Sequence, residues 1–140
     1  MSMFSRVAVS LLLLLLVVAC GDRGPSYPKV TPPDGYLQRA ENQQAGKRLF
    51  LKLCAECHGR PAEGRSQRAN FFHPPAPQFT SPLYRQADPA YLFWRISQGK
   101  TVDPYLSLGS VMPAYGSHFS EEEIWALVAY LRVRSGISSD

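Results

Sequence analysis

Apolar residues are unevenly spread along this chain. They gather first in Val7–Ala19, an almost wholly apolar stretch holding the run LLLLLLVV. Three later segments carry them at helical spacing. In NQQAGKRLFLKLCAEC, residues 42–57, Leu49, Phe50 and Leu53 recur between Lys47, Arg48 and Lys52. That is the periodicity of an amphipathic helix. Asn42 suits an N-cap, so a helix is predicted over 42–55. Asp88-Pro89 opens a second one, because Asp caps well and Pro fits the first helical position. AYLFWRISQ continues it and Gly99 stops it, giving 88–98. Ser120-Glu121-Glu122-Glu123 has the form of a capping box, with acidic side chains favoured at a helix N-terminus. Ile124, Leu127, Val128 and Leu131 follow at i, i+3, i+4 and i+7. Arg132 and Arg134 suit the C-terminal end and Gly136 ends the helix, giving 120–134. No segment alternates as a strand does. The pattern predicts an all-α domain of about three helices.

The intervening segments are rich in proline and glycine. Residues 21–41 hold four prolines and three glycines, which resist regular structure and read as a tether. Residues 59–87 hold five prolines and no sustained periodicity. A loop of that length is usually functional, and here it is predicted to wrap something. Residues 101–119 form another Gly-, Ser- and Pro-rich loop. The expected organisation is a signal peptide over 1–19, a tether over 20–41, a folded domain over 42–135 and a tail over 136–140. So much loop leaves a thin protein core. A large apolar cofactor inside would fill it.

Met1–Arg6 followed by Val7–Ala19 has the charged and apolar regions of a secretory signal. The apolar run is short of the roughly 20 residues a membrane span needs. It ends Val17-Val18-Ala19-Cys20-Gly21, which resembles the bacterial lipobox and makes Cys20 the expected site of lipid attachment. A multi-chain anchor would hold the protein at a membrane, in the bacterial cell envelope facing the periplasm. Loss of residues 1–19 removes Arg6 alone, so basic residues fall from 15 to 14 against 11 acidic ones and the net charge from +4 to +3. That mild excess does not suggest a nucleic-acid-binding domain, which needs clustered cations.

With Cys20 assigned to the anchor, Cys54 and Cys57 remain. Cysteines this close rarely form a structural disulfide. Cys54-Ala55-Glu56-Cys57-His58 is C-x-x-C-H, the attachment sequence for a c-type haem. Both thiols add to the porphyrin's vinyl groups, and His58 is placed as proximal ligand to the iron. A zinc site wants about four ligands and lacks them here. A thioredoxin-like pair would sit in a βαβ unit, which the pattern excludes. Met1 and Met3 leave with the signal, so Met112, in GSVMPAYGSHF, is the last methionine. Its thioether is the leading candidate for sixth ligand and raises a haem potential relative to a second histidine. His73, His118 and an open position are the alternatives.

At this point the sequence resembles class I cytochrome c, over about residues 45–133. Gly46, Phe50 and Cys54 stand four apart, as in that family's N-terminal helix. Leu127 and Tyr130 match its C-terminal helix, and Met112-Pro113-Ala114-Tyr115 is similar to its ligand loop. The resemblance implies a small cytochrome c fold in which these two helices cross, the glycine allowing close approach. It implies one covalent haem, with His58 and Met112 as metal ligands. It also implies a proline carbonyl that accepts the proximal histidine's N–H, a partner that orients the ring. Pro77 is the candidate, with Pro74 and Pro75 as neighbours that fit the role too.

Phe71, Phe72, Phe79, Tyr91, Phe93, Trp94 and Tyr115 are expected to supply the haem pocket, with the Trp94 indole N–H offered to a propionate. Arg60, Arg65, Arg68, Arg85 and Lys100 are expected around the exposed haem edge, where positive charge steers docking. An iron with both axial sites filled has no room for substrate. The expected function is therefore single-electron transfer between redox partners, not catalysis. Two alternatives stand beside it: an integral cytochrome subunit of a larger quinol-oxidising or terminal oxidase complex, and a haem enzyme or sensor with an open or labile sixth site.

Overall fold

A computed structural model describes residues 25–61, 63–103 and 105–137. The expected signal peptide and Cys20 lie outside the described residues. Within them the protein is all-α and contains no strand. Its helices are α1 (Ala40–Leu53), α2 (Ala55–His58), α3 (Pro82–Arg85), α4 (Pro89–Gln98) and α5 (Glu121–Arg134), with a 3₁₀ turn at Gln67–Phe71.

The predicted helix over 42–55 starts earlier and is divided. Its N-cap is Arg39, which makes no side-chain cap. Asn42 instead donates its side-chain amide to the Tyr36 carbonyl at 2.9 Å, tying the helix to the preceding turn. Cys54 closes α1 through its own N–H to Phe50, and α2 then carries the chain to His58. The other two predictions hold at their starts. Asp88 accepts from Ala90 N–H at 2.9 Å ahead of α4. Ser120 and Glu123 complete a reciprocal capping box at 2.9 and 3.2 Å.

Helix α5 is the centre of the fold. A single apolar stripe is what its sequence periodicity indicates, but every residue from Ile124 to Leu131 is buried. The reason is that it is covered from several sides. Helix α1 crosses it so closely that a β-carbon on Gly46 would overlap the Ala126 carbonyl. On another side Phe93 of α4 stacks its ring 4.4 Å from Trp125. On a third, the segment before α1 reaches across: Tyr36 and Leu37 are buried, and Tyr36 O–H donates to the Glu122 carbonyl at 3.0 Å. The last residues of the expected tether are thus part of the packed core. Further back, Tyr27 stacks on Trp94 and donates to Asp88 at 2.8 Å, while Lys29 pairs with the same carboxylate.

Candidate functional site

The close crossing of α1 and α5 sends Cys54, Cys57 and His58 to one wall of a cleft. Its empty space is about 950 Å³ with the open solvent at the mouth included. Pro74, Pro75, Ala76 and Pro77 form part of the lining, and Val111, Met112 and Pro113 form another part. The proline-rich and the Gly/Ser-rich loops therefore wrap the same space, and the first of them was expected to wrap something from its length.

Cys54 and Cys57 are free thiols. Burial pushes the Cys54 thiol up to about 12, and the neighbouring Cys57 adds to the effect. It stays protonated, unlike the low-pKa thiolate of a disulfide oxidoreductase or a metal-thiolate site. His58 is buried, and its Nδ1–H points to the Pro77 carbonyl at 3.4 Å. Burial pulls its pKa down to about 4; the Pro77 contact opposes this, and the charges of Arg134 and Lys100 add to it. The ring is neutral at pH 7, with Nδ1 engaged and the Nε2 lone pair left for a ligand bond. Phe50 and Phe79 flank it, with ring centres 6.2 and 4.8 Å away.

Met112 is half-buried and lines the cleft. Three backbone bonds fasten its loop to the end of α4. Lys100 N–H donates to Met112 O at 2.9 Å, Tyr115 N–H to Ile96 O at 3.1 Å, and Gly116 N–H to Ser97 O at 3.0 Å. Gly99 sits beneath this junction at φ 63, ψ −157. Its missing β-carbon would lie 2.5 Å from the Pro113 carbonyl. His73 and His118 are exposed and outside the lining.

The expected aromatic pocket divides in two. Phe72, Phe79, Tyr91 and Tyr115 line the cleft. Phe71 is 86% exposed, Phe93 packs on Trp125, and the Trp94 ring contacts the Tyr27 ring and the Arg95 guanidinium. Of the five basic residues expected around the edge, Lys100 alone is in the lining. Arg68 pairs with Glu56, and Arg65 bonds Asn70 and the Ala76 carbonyl.

Two arginines to which the sequence gives no part in the site are central here. Arg134 reaches from the end of α5 to the carbonyls of Gly59, His58, Arg60 and Glu63 at 2.7 to 3.2 Å. Its guanidinium also lies 4.7 Å from the centre of the Phe50 ring. It fixes the peptide that leaves His58. Arg95 is buried in the cleft wall, bonded to Gly99 O and Tyr105 O–H. The sequence places Arg134 at a helix C-terminus, but no periodicity or motif marks the reach of either residue into the site.

The site fits a covalent haem by its own chemistry. It offers two free thiols, a neutral buried imidazole with an oriented ring, and a thioether, all around one apolar cleft. The family model for cytochrome c oxidase, cbb3-type, subunit III matches residues 41–131. The chain belongs to this family, and is thus a c-type cytochrome built for electron transfer with haem and iron. No curated protein matches it.

Proposed function

We propose that this member of the cbb3-type subunit III family is a mono-haem electron carrier, anchored through Cys20 and facing the periplasm. Cys54 and Cys57 hold the haem, His58 and Met112 ligate its iron, and Pro77 orients His58. The observation that carries this reading is the shared cleft: Met112, the only methionine after Met3, and the C-x-x-C-H histidine line the same space. When bound, the haem supplies an iron that takes up or releases one electron.

The chain's own residues set the terms. His58 enters neutral, so no proton need leave it on ligation. A neutral thioether and an apolar lining both disfavour the extra charge of the oxidised state and raise the potential. The bonds that fasten the Met112 loop to α4 limit its motion and so limit access by outside ligands. Lys100 at the rim adds positive charge for an acidic partner.

Absorption spectra of the wild type and Met112→Ala test the axial assignment. The wild type is expected to be low-spin, with a weak ferric methionine-to-iron band that the variant lacks. Absence of that band from the wild type sinks the assignment and favours an enzyme or sensor with a labile site. Mass spectrometry of the N-terminal peptide tests the anchor, since Cys20 should carry acyl chains.

A second reading is favoured by the family itself: a cytochrome subunit of a larger respiratory oxidase complex. Size-exclusion of the detergent-solubilised native protein separates the two. A stable large assembly supports the subunit, and a small monodisperse species supports the free carrier.

A further inference from the structure

Val102, Leu106 and Leu108 are 52, 54 and 58% exposed. None of them lines the cleft, so a cofactor held there leaves them uncovered. They belong to one turn between α4 and Met112, and the turn is tightly bonded. Tyr105 and Leu106 N–H both donate to the Val102 carbonyl, at 2.9 and 3.0 Å. Gly109 N–H donates to Leu106 O at 2.9 Å, and Ser110 N–H to Tyr105 O at 3.0 Å. Tyr105 itself faces inward, bonded to the Arg95 guanidinium. The backbone donors are thus satisfied within the turn while three large aliphatic side chains meet water. Apolar groups clustered in this way mark an interaction surface.

The N-terminal segment indicates what covers them. Tyr27 stacks on Trp94 with ring centres 5.9 Å apart. The Arg95 guanidinium carbon lies 4.4 Å from the Trp94 ring centre and 4.6 Å from that of Tyr105. Tyr27, Trp94, Arg95 and Tyr105 therefore form one column from the N-terminal segment to the turn. Cys20 precedes Tyr27 by seven residues, a stretch that reaches about 25 Å at full extension. With an acylated Cys20, this side of the domain stays at the bilayer and does not swing on a long arm.

We propose that Val102, Leu106 and Leu108 enter the headgroup–acyl boundary of the bilayer that holds Cys20, so that the domain rests on the membrane in one orientation. This rests on the lipid-anchor reading above. The turn suits the boundary because its bonded amides lose little on leaving water, and its aliphatic side chains gain by leaving it. Lys100, with Nζ 5.1 Å from the Tyr105 ring centre, adds a cation for anionic headgroups. Asp103 is the one acidic residue of the turn and keeps the insertion shallow. The turn leads directly into Ser110, Val111 and Met112 of the cleft lining. Its seating would hold the cleft beside the membrane surface, which suits an electron partner embedded there.

The test uses the full-length, haem-loaded protein in vesicles of phosphatidylethanolamine and phosphatidylglycerol. These include a phospholipid with a photoactivatable diazirine near the top of one acyl chain. After illumination, mass spectrometry of the digested protein locates the label by residue. The turn is expected to carry several-fold more label than Val133. That residue is also apolar and 40% exposed, but it stands at the end of α5, beside the Arg134 that binds the His58 peptide. Combining Val102→Ser, Leu106→Ser and Leu108→Ser should bring the turn down to the Val133 level with an unchanged haem spectrum. Equal labelling of the turn and Val133 in vesicle-bound wild type overturns the proposal. A turn left unlabelled overturns it too, and assigns the patch to a protein partner. If the combined variant does not accumulate, the wild-type comparison decides alone. Failure of the anchor reading shows separately, as a Cys20 peptide without acyl chains. Selective labelling of the turn then still upholds the membrane contact, and its absence overturns both.

Discussion

Gly46 of α1 lies against the carbonyl of Ala126 in α5, with no space between them for a methyl group. This contact sets the crossing of the two longest helices and so the place where Cys54 leaves α1. Gly46→Ala brings two opposed effects. Alanine favours a helix interior by about 1 kcal/mol over glycine. Overpacking costs about 1–3 kcal/mol or more, and here the obstacle is backbone, which cannot rotate aside. The steric effect wins. Thermal unfolding should show a clear drop in Tm, and a Tm equal to or above wild type would show that the helices separate freely.

Gly99 supports the Met112 loop from below. At φ 63, ψ −157 it occupies a region essentially closed to other residues, which costs about 1–3 kcal/mol to enter. A β-carbon there would also meet Pro113 and Met112 backbone. With Met112 as ligand, Gly99→Ala should weaken the ferric methionine-to-iron band and let carbon monoxide bind the ferrous form faster. A full-strength band with wild-type carbon monoxide kinetics would show that the loop tolerates the shift.

Arg134 ties the end of α5 to the peptide after His58 through carbonyls 71 to 76 positions away. Bonds to a charged donor contribute about 1.5–3 kcal/mol each, and they share one guanidinium here. Arg134→Leu should therefore destabilise the haem protein by about 3 kcal/mol in denaturant titration. Arg134→Lys keeps the charge but not the fork, so it should recover only part of that loss. Full recovery by lysine would mean that charge alone matters.

The clasp of Tyr27 and Lys29 on Asp88 should respond to pH. The Lys29 bond, the largest effect, holds the Asp88 carboxyl below its usual value, and Tyr27 and Ala90 N–H act the same way. A depressed carboxylate pKa gives stability that is present above the unfolded value of 3.8 and is lost as pH falls through the folded one. Residues 25–30 should therefore loosen as pH falls into the acid range. At neutral pH, Asp88→Asn keeps a competent cap for α4 but loses the charge pair, so trypsin should cut after Lys29 faster than in wild type. Equal cleavage rates would show that Tyr27 stacking alone holds the segment.

Much of this protein follows from residues that are near one another in the chain. The caps at Asp88 and Ser120 involve neighbours two or three positions away. C-A-E-C-H is a local spacing, and its chemistry is legible without a fold. Other features depended on where distant segments meet. The start of α1 moved ahead of Asn42 because Tyr36 and Leu37 pack on α5 and pull the chain into the core. The close approach at Gly46 is what the family resemblance implies, whereas Gly99 reads in sequence only as a helix stop and takes its second role from the Met112 loop. Trp94 and Phe93 were drawn out of the expected pocket by Tyr27 and Trp125. Arg95 and Arg134 were hidden for a general reason. Their protein partners are mainly backbone carbonyls, which every residue has, so the pairing leaves no mark on the pattern of side chains. The sequence by itself determined the three longer helices and the caps at Asp88 and Ser120, and it pointed to Cys54, Cys57, His58 and Met112 as the residues that carry the chemistry. Only the tertiary structure decided which loops close over that chemistry and which charge is buried beside it, because those outcomes depend on contacts between segments far apart in the chain.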